Sequence, residues 1–309
     1  MEKKSKDEKT LFDGDDFLFK RYLKKCNIYF EYGVGTTSGG LDIRNWTDIG
    51  TVTNINAVAL NLTDETTYYV SVRATDGVGH VSEVVTTNGI IADHTGPSGT
   101  MVSDGDSTDI ELQNDQVSFS GHWESFSDEY SGMAYHEAAL YDATGGVYIE
   151  TWTDVGVDTT TTFYGLALVA GKSYELHVRG VDLVGNTGAI VESDGVLIDL
   201  SAPTVPVNLV GWFTTGRIFL EWTANTEPDL GHYSVYGGTE NNPTDLLLTT
   251  TENTVEAFMP SYQDGVLYYL RITATDIPGN ESNFTNEVLG IPQETAITSI
   301  SPDTNLVYS

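Results

Sequence analysis

The sequence predicts an all-β chain built of three tandem modules. Three observations carry that prediction. A thirteen-residue phrase recurs, reading YYVSVRATDGVGH from Tyr68, YELHVRGVDLVGN from Tyr174 and YYLRITATDIPGN from Tyr268. Apolar and polar residues alternate through each copy, which is the period of a strand with one buried face. No helical periodicity is sustained after residue 27.

Each part of the phrase has a physical reading. In the third copy Tyr268, Leu270, Ile272 and Ala274 share one face, and Tyr269, Arg271, Thr273 and Thr275 the other. In the second, Tyr174, Leu176 and Val178 face in, and Glu175, His177 and Arg179 face out. The closing Asp-x-x-Gly-Asn (Gly-His in the first copy) predicts a tight turn. Glycine tolerates positive φ there, and Asp and Asn side chains bond to nearby backbone. A return strand follows each turn, over 83–92, 189–199 and 283–289. Six residues before each opening tyrosine stands Leu62, Leu168 or Tyr262. That spacing predicts a tyrosine corner, in which the buried hydroxyl holds the preceding crossing. The first two copies belong to a longer ungapped match of residues 28–97 with 134–203. It pairs Trp46 with Trp152, Arg73 with Arg179 and Asp93 with Asp199.

With these residues in place, the modules resemble tandem fibronectin type III domains of large bacterial secreted and surface proteins. In the third module, residues 206–210 resemble strand A, 218–222 strand B with its core Trp222, 233–236 strand C, and Tyr268 the start of strand F. In the second, 117–123 and 135–140 match strands B and C. The resemblance implies three immunoglobulin-like β-sandwiches and says little about function. The short joints from Asp93 to Pro97 and from Asp199 to Pro203 limit bending, so an elongated arrangement is expected. It divides the chain into a charged non-repeat leader (1–27, disordered or a short helix), an incomplete first module (28–97), a second (98–202), a third (203–292) and a tail or start of a further module (293–309). Module one lacks residues for its first two strands, so the leader either covers the sheet edge as a helix or marks a chain cut from something longer. The second reading is favoured.

Charge narrows the partners. There are 45 acidic against 14 basic residues, a net charge of −31. Eight of the fourteen basic residues lie in the leader. So acidic a body repels nucleic acid and anionic membranes. Neither a signal peptide nor an apolar stretch long enough to span a bilayer is present in this segment. The single cysteine, Cys26, excludes an intrachain disulfide.

The sequence contains no catalytic motif and implies no enzyme and no obligate cofactor. Its six histidines have no metal-pair spacing and are expected as ordinary surface residues. Two candidate sites remain. Asp104, Asp106 and Asp109 form an acidic loop with part of a calcium-loop spacing. Calcium bridging them to Asp93 would stiffen a module joint. Tyr236 and Tyr269, expected on adjacent strands and facing out, could stack on a sugar ring. The leading expectation is a non-catalytic structural or adhesive segment of an extracellular or cell-surface protein. Its partners are the other domains of the same polypeptide, with surface glycans or proteins as further candidates. The alternative is an accessory spacer or carbohydrate-binding region of a secreted hydrolase.

Overall fold

A computed structural model of the chain describes residues 28–214, 217–257, 263 and 265–292. The leader with Cys26, the tail and Tyr262 lie outside the described residues. No described residue is helical, and no described helix is long and apolar enough to cross a membrane.

The first repeat copy forms β1 (Tyr29–Gly35), β2 (Arg44–Gly50), β3 (Thr66–Thr75), β4 (Val85–Thr86) and β5 (Ile90–Ala92). Among the described residues these make one sheet, ordered β2-β1-β3-β4 with β5 also on β3. Its core is Tyr32, Val34, Tyr68 and Ala92, flanked by residues such as Ile43, Leu62 and Val70. Arg73 sits 4.3 Å over the Trp46 ring and pairs with Glu31 at 2.7 Å.

The second copy contributes β6 (Val102–Asp104), β7 (Leu112–Gln113), β8 (Ser118–Trp123), β9 (Met133–Asp142), β10 (Val147–Gly156), β11 (Thr160–Tyr164), β12 (Ser173–Asp182), β13 (Val191–Glu192) and β14 (Val196–Ile198). They form two sheets, β10-β9-β12-β14-β7 with β13 on β12, and β11-β8-β6. The third contributes β15 (Val207–Thr214), β16 (Arg217–Thr223), β17 (Leu230–Gly238), β18 (Leu246–Thr250), β19 (Thr254–Ala257), β20 (Tyr268–Asp276) and β21 (Val288–Gly290). Its sheets run β15-β16-β19 and β18-β17-β20-β21. Ile218, Leu220 and Trp222 of one meet Tyr233, Val235, Leu270 and Ile272 of the other in an apolar core. The second and third are thus β-sandwiches of two sheets each, as the resemblance implies, and the first is a single sheet among the described residues.

The chain falls into two compact units. Of the described residues, one holds 28–99 with Phe126–His136 and Arg179–Ala189, and the other Thr100–Ser125, Glu137–Val178 and those from Ile190 on.

The inward faces of the repeat strands match the alternation. Tyr268, Leu270, Ile272 and Ala274 are all buried. The outward faces need a correction. Arg271, Thr273 and Thr275 are buried as well. The Arg271 guanidinium lies 3.4 Å over the Phe284 ring and donates to the Pro243 carbonyl, while Thr273 donates to Glu281. Loop residues therefore roof the outer face of β20.

The return strands are also shorter than expected. In the first copy the expected run is split, with β4 beside Ser71 and Val72, and β5 beside Thr66, Thr67 and Tyr68. Gly89 separates them at a φ of 92°, and Gly195 separates β13 from β14 at 96°. This left-handed backbone ends regular pairing, and glycine adopts it without steric cost. The third return strand is reduced to β21.

Candidate functional site: acidic groups at strand ends

The repeat phrase ends in a turn held by its own aspartate. Asp182 Oδ1 accepts hydrogen bonds from the N–H groups of Val184, Gly185 and Asn186 at 2.9, 2.6 and 2.8 Å. Asp276 Oδ1 accepts from Gly279 and Asn280 at 2.8 and 2.6 Å. Asp76 repeats the arrangement with Val78 and His80, both at 2.9 Å. The glycine of each turn has a φ between 93° and 97°, which is why glycine stands there.

The residue that closes the turn also reaches the end of the preceding copy. Asn186 Nδ2 donates to Asp182 Oδ2 at 2.8 Å and to the Asp93 carbonyl at 3.0 Å. Asn280 Nδ2 donates to Asp276 Oδ2 at 2.8 Å and to the Asp199 carbonyl at 3.0 Å. Asp93 and Asp199 are equivalent in the repeat, so one clamp occurs twice. His80, which takes the place of the asparagine in the first copy, binds Asp76 Oδ2 at 3.0 Å.

Carboxylates collect at both clamps. Asp93, Asp128 and Asp182 form one group and Asp199, Asp229 and Asp276 another, each with oxygens within 4.8 Å of one another. Burial raises the Asp229 carboxyl above the ordinary range, and the neighbouring Asp199 and Asp276 add to the rise. The many donors around Asp182 outweigh its burial and hold its carboxyl below that range.

A third group stands apart in chemistry. Asp104 ends β6, where alternation places it on the same face as the buried Val102. It is 0% exposed. Its Oδ2 accepts the Gly195 N–H at 2.9 Å. Its Oδ1 has no hydrogen-bond partner. Asp109 and Asp194, both exposed, bring oxygens within 4.8 Å. Burial pushes the Asp104 carboxyl up to about 6, and the like charges of Asp109 and Asp194 contribute to the rise.

The sequence leads us to expect calcium bridging Asp93 to the loop of Asp104, Asp106 and Asp109. Asp93 groups with Asp128 and Asp182, and Asp104 and Asp109 group with Asp194. Asp106 belongs to neither and lines an open groove of about 320 Å³ with Ser107, Thr108 and Gln113. Asp182 was within reach of sequence reasoning, because it is the aspartate of the repeat phrase. Asp128 and Asp194 come from loops distant in sequence, and no spacing signals them.

Tyr236 and Tyr269 lie on paired strands, as expected. The register sets Tyr236 opposite Arg271 and Tyr269 opposite Gly238, so the two tyrosines are diagonal on one face. Both are half-buried. Tyr236 packs edge-on against Phe284 with centroids 5.0 Å apart and donates to Glu281 at 2.8 Å. Two histidines expected at the surface are interior. His136 is 2% exposed and meets Phe126 edge-on. His177, 6% exposed, stacks on Tyr141 at 4.8 Å, with Tyr148 bonded to its Nδ1 at 3.1 Å. The outer face of β12 is thus covered by aromatics from neighbouring strands.

No family model matches the sequence. The chain is 30% identical over 259 residues to exoglucanase B of Cellulomonas fimi, a match covering 79% of this chain and 22% of that protein. It is 34% identical over 140 residues to chitinase A1 of Niallia circulans, covering 42% of this chain and 18% of that one. The chain therefore spans about a fifth of the length of these two relatives. Among solved structures, the FN1–FN3 domains of chicken CNTN1 align over 87% of this chain and 89% of that one, at 13% identity and a TM-score of 0.42.

Proposed function

We propose that this chain, a tandem of fibronectin type III-like β-sandwich modules, is a non-catalytic accessory segment of a larger secreted polypeptide. There it spaces and presents other domains. One observation carries the reading. The same chain matches a fifth of an exoglucanase and a fifth of a chitinase, over shares of its length that must overlap. A segment common to proteins named for two different substrates is one whose work does not depend on either substrate. Cores filled by side chains, with hydrogen-bonded turns at the strand ends, agree with a mechanical role.

The test uses the purified chain with insoluble cellulose and insoluble chitin. The expected outcome is no release of reducing sugar and no retention on either polymer after sedimentation. Hydrolysis would overturn the reading. Retention that Tyr236→Ala or Tyr269→Ala abolishes would replace the spacer with a carbohydrate-binding role for that face.

A further inference from the structure

We propose that Asp104, Asp109 and Asp194 hold a calcium ion between the end of β6 and the loop joining β13 to β14. The argument begins with Asp104. A carboxylate that is wholly withdrawn from water needs compensation for both oxygens. Only Oδ2 has a hydrogen bond, from the Gly195 N–H. Oδ1 is buried without a hydrogen-bond donor, and Asp109 and Asp194 each bring an oxygen within 4.8 Å of this carboxylate. Three carboxylates gathered about a buried residue with one bare oxygen attract a cation rather than a neutral ligand.

The all-oxygen ligand set favours calcium. Calcium binds oxygen at 2.3–2.6 Å in flexible coordination. Two oxygens on one such ion therefore stand no more than about 5 Å apart. The three oxygens here fall within 4.8 Å of one another. Magnesium, with bonds of about 2.0–2.1 Å and a rigid octahedron, is seldom held by a set of protein carboxylates alone. The remaining positions would be taken by water, since Asp109 and Asp194 lie at the surface. The loop is already closed for this purpose, because Asp109 Oδ1 accepts the Asp104 N–H at 3.1 Å. The other acidic groups differ at their buried members, since Asp182 and Asp276 are hydrogen bonded through both oxygens. The half-buried Asp93 has one bare oxygen, Oδ2, but the residue is not wholly withdrawn from water.

The experiment titrates the intact, chelator-treated chain with calcium chloride, followed by calorimetry and by the amide resonances of Asp104 and Gly195. We expect saturable binding with a midpoint of about 10⁻⁴–10⁻³ M, the range of extracellular calcium modules, with both amides shifting in step. Asp194→Asn and Asp109→Asn should each weaken that response at least about tenfold. Both residues are exposed, and asparagine keeps the acceptor that closes the loop. Asp128→Asn and Asp229→Asn, which alter the other groups, should leave these amides responding as in the wild type. The proposal fails if the amides do not move up to about 10 mM calcium. It also fails if Asp194→Asn titrates like the wild type, or if Asp128→Asn abolishes the shifts. Equal affinity for magnesium would overturn the choice of calcium.

Discussion

The phenol oxygens of Tyr68, Tyr174 and Tyr268 each accept one backbone hydrogen bond, from Thr63, Val169 and Gln263, at 2.6, 3.1 and 3.0 Å. The donor in each case lies five residues upstream, at the end of the crossing that leads into the strand. Tyr174→Phe keeps the ring and leaves the Val169 N–H without its partner, so it should cost about 0.5–1.5 kcal/mol in urea denaturation. Glu227 supplies a pH-dependent contact. The hydroxyl and N–H of Thr204 both donate to its Oε1, and they hold its carboxyl down to about 2. A depressed native pKa means that this stability is complete above the unfolded value near 4.5 and is lost as pH falls toward 2. The wild-type urea midpoint should therefore drop across that interval more steeply than that of Glu227→Gln, which lacks the titration. The tyrosines were legible in the sequence because their spacing is local. The burial of Asp104 was not, because a carboxylate in a loop of aspartates reads as solvated, and the Gly195 N–H that receives it lies 91 positions away.

At the scale of the element, the Asp-x-x-Gly-Asn turn closes a hairpin and also clamps the end of the copy before it. Asn186→Ala removes both bonds of one side chain, to Asp182 Oδ2 and to the Asp93 carbonyl. It should lower stability by about 1–3 kcal/mol, and Asn280→Ala should do the same at the second clamp. Thermal melts of the two variants check this. The turn itself was readable, since Gly and Asn at that spacing dictate it. Its second contact was not, because a carbonyl at a strand end carries no signature of its own. The return strands show the complementary case. Their β-forming residues predicted continuous strands, and one left-handed glycine, Gly89 or Gly195, was enough to divide two of them. Likewise the alternation placed Arg271 and His177 outward correctly, while Phe284 and Tyr141, which cover them, belong to other segments.

Across the whole molecule the cores are unequal. The first sheet buries Tyr32, Val34, Tyr68 and Ala92, whereas the third sandwich buries nine residues that include Trp222 and two tyrosines. Burial of apolar surface is the main stabilising term in folding. Amides of β1 and β3 should accordingly exchange with deuterium at least about tenfold faster than those of β17 and β20. Equal protection would show that the first sheet is stabilised by something other than its described core.

The two clamps also have a direction in time. Asn186 and Asn280 each belong to a later copy, and each grips a carbonyl that belongs to an earlier one. A ribosome releases the grip point before the hand. By the time either asparagine emerges, the carbonyl it needs has already been made, and domains generally fold in order from the N-terminus during synthesis. Each earlier copy can thus offer a ready contact on which the next one closes as it emerges.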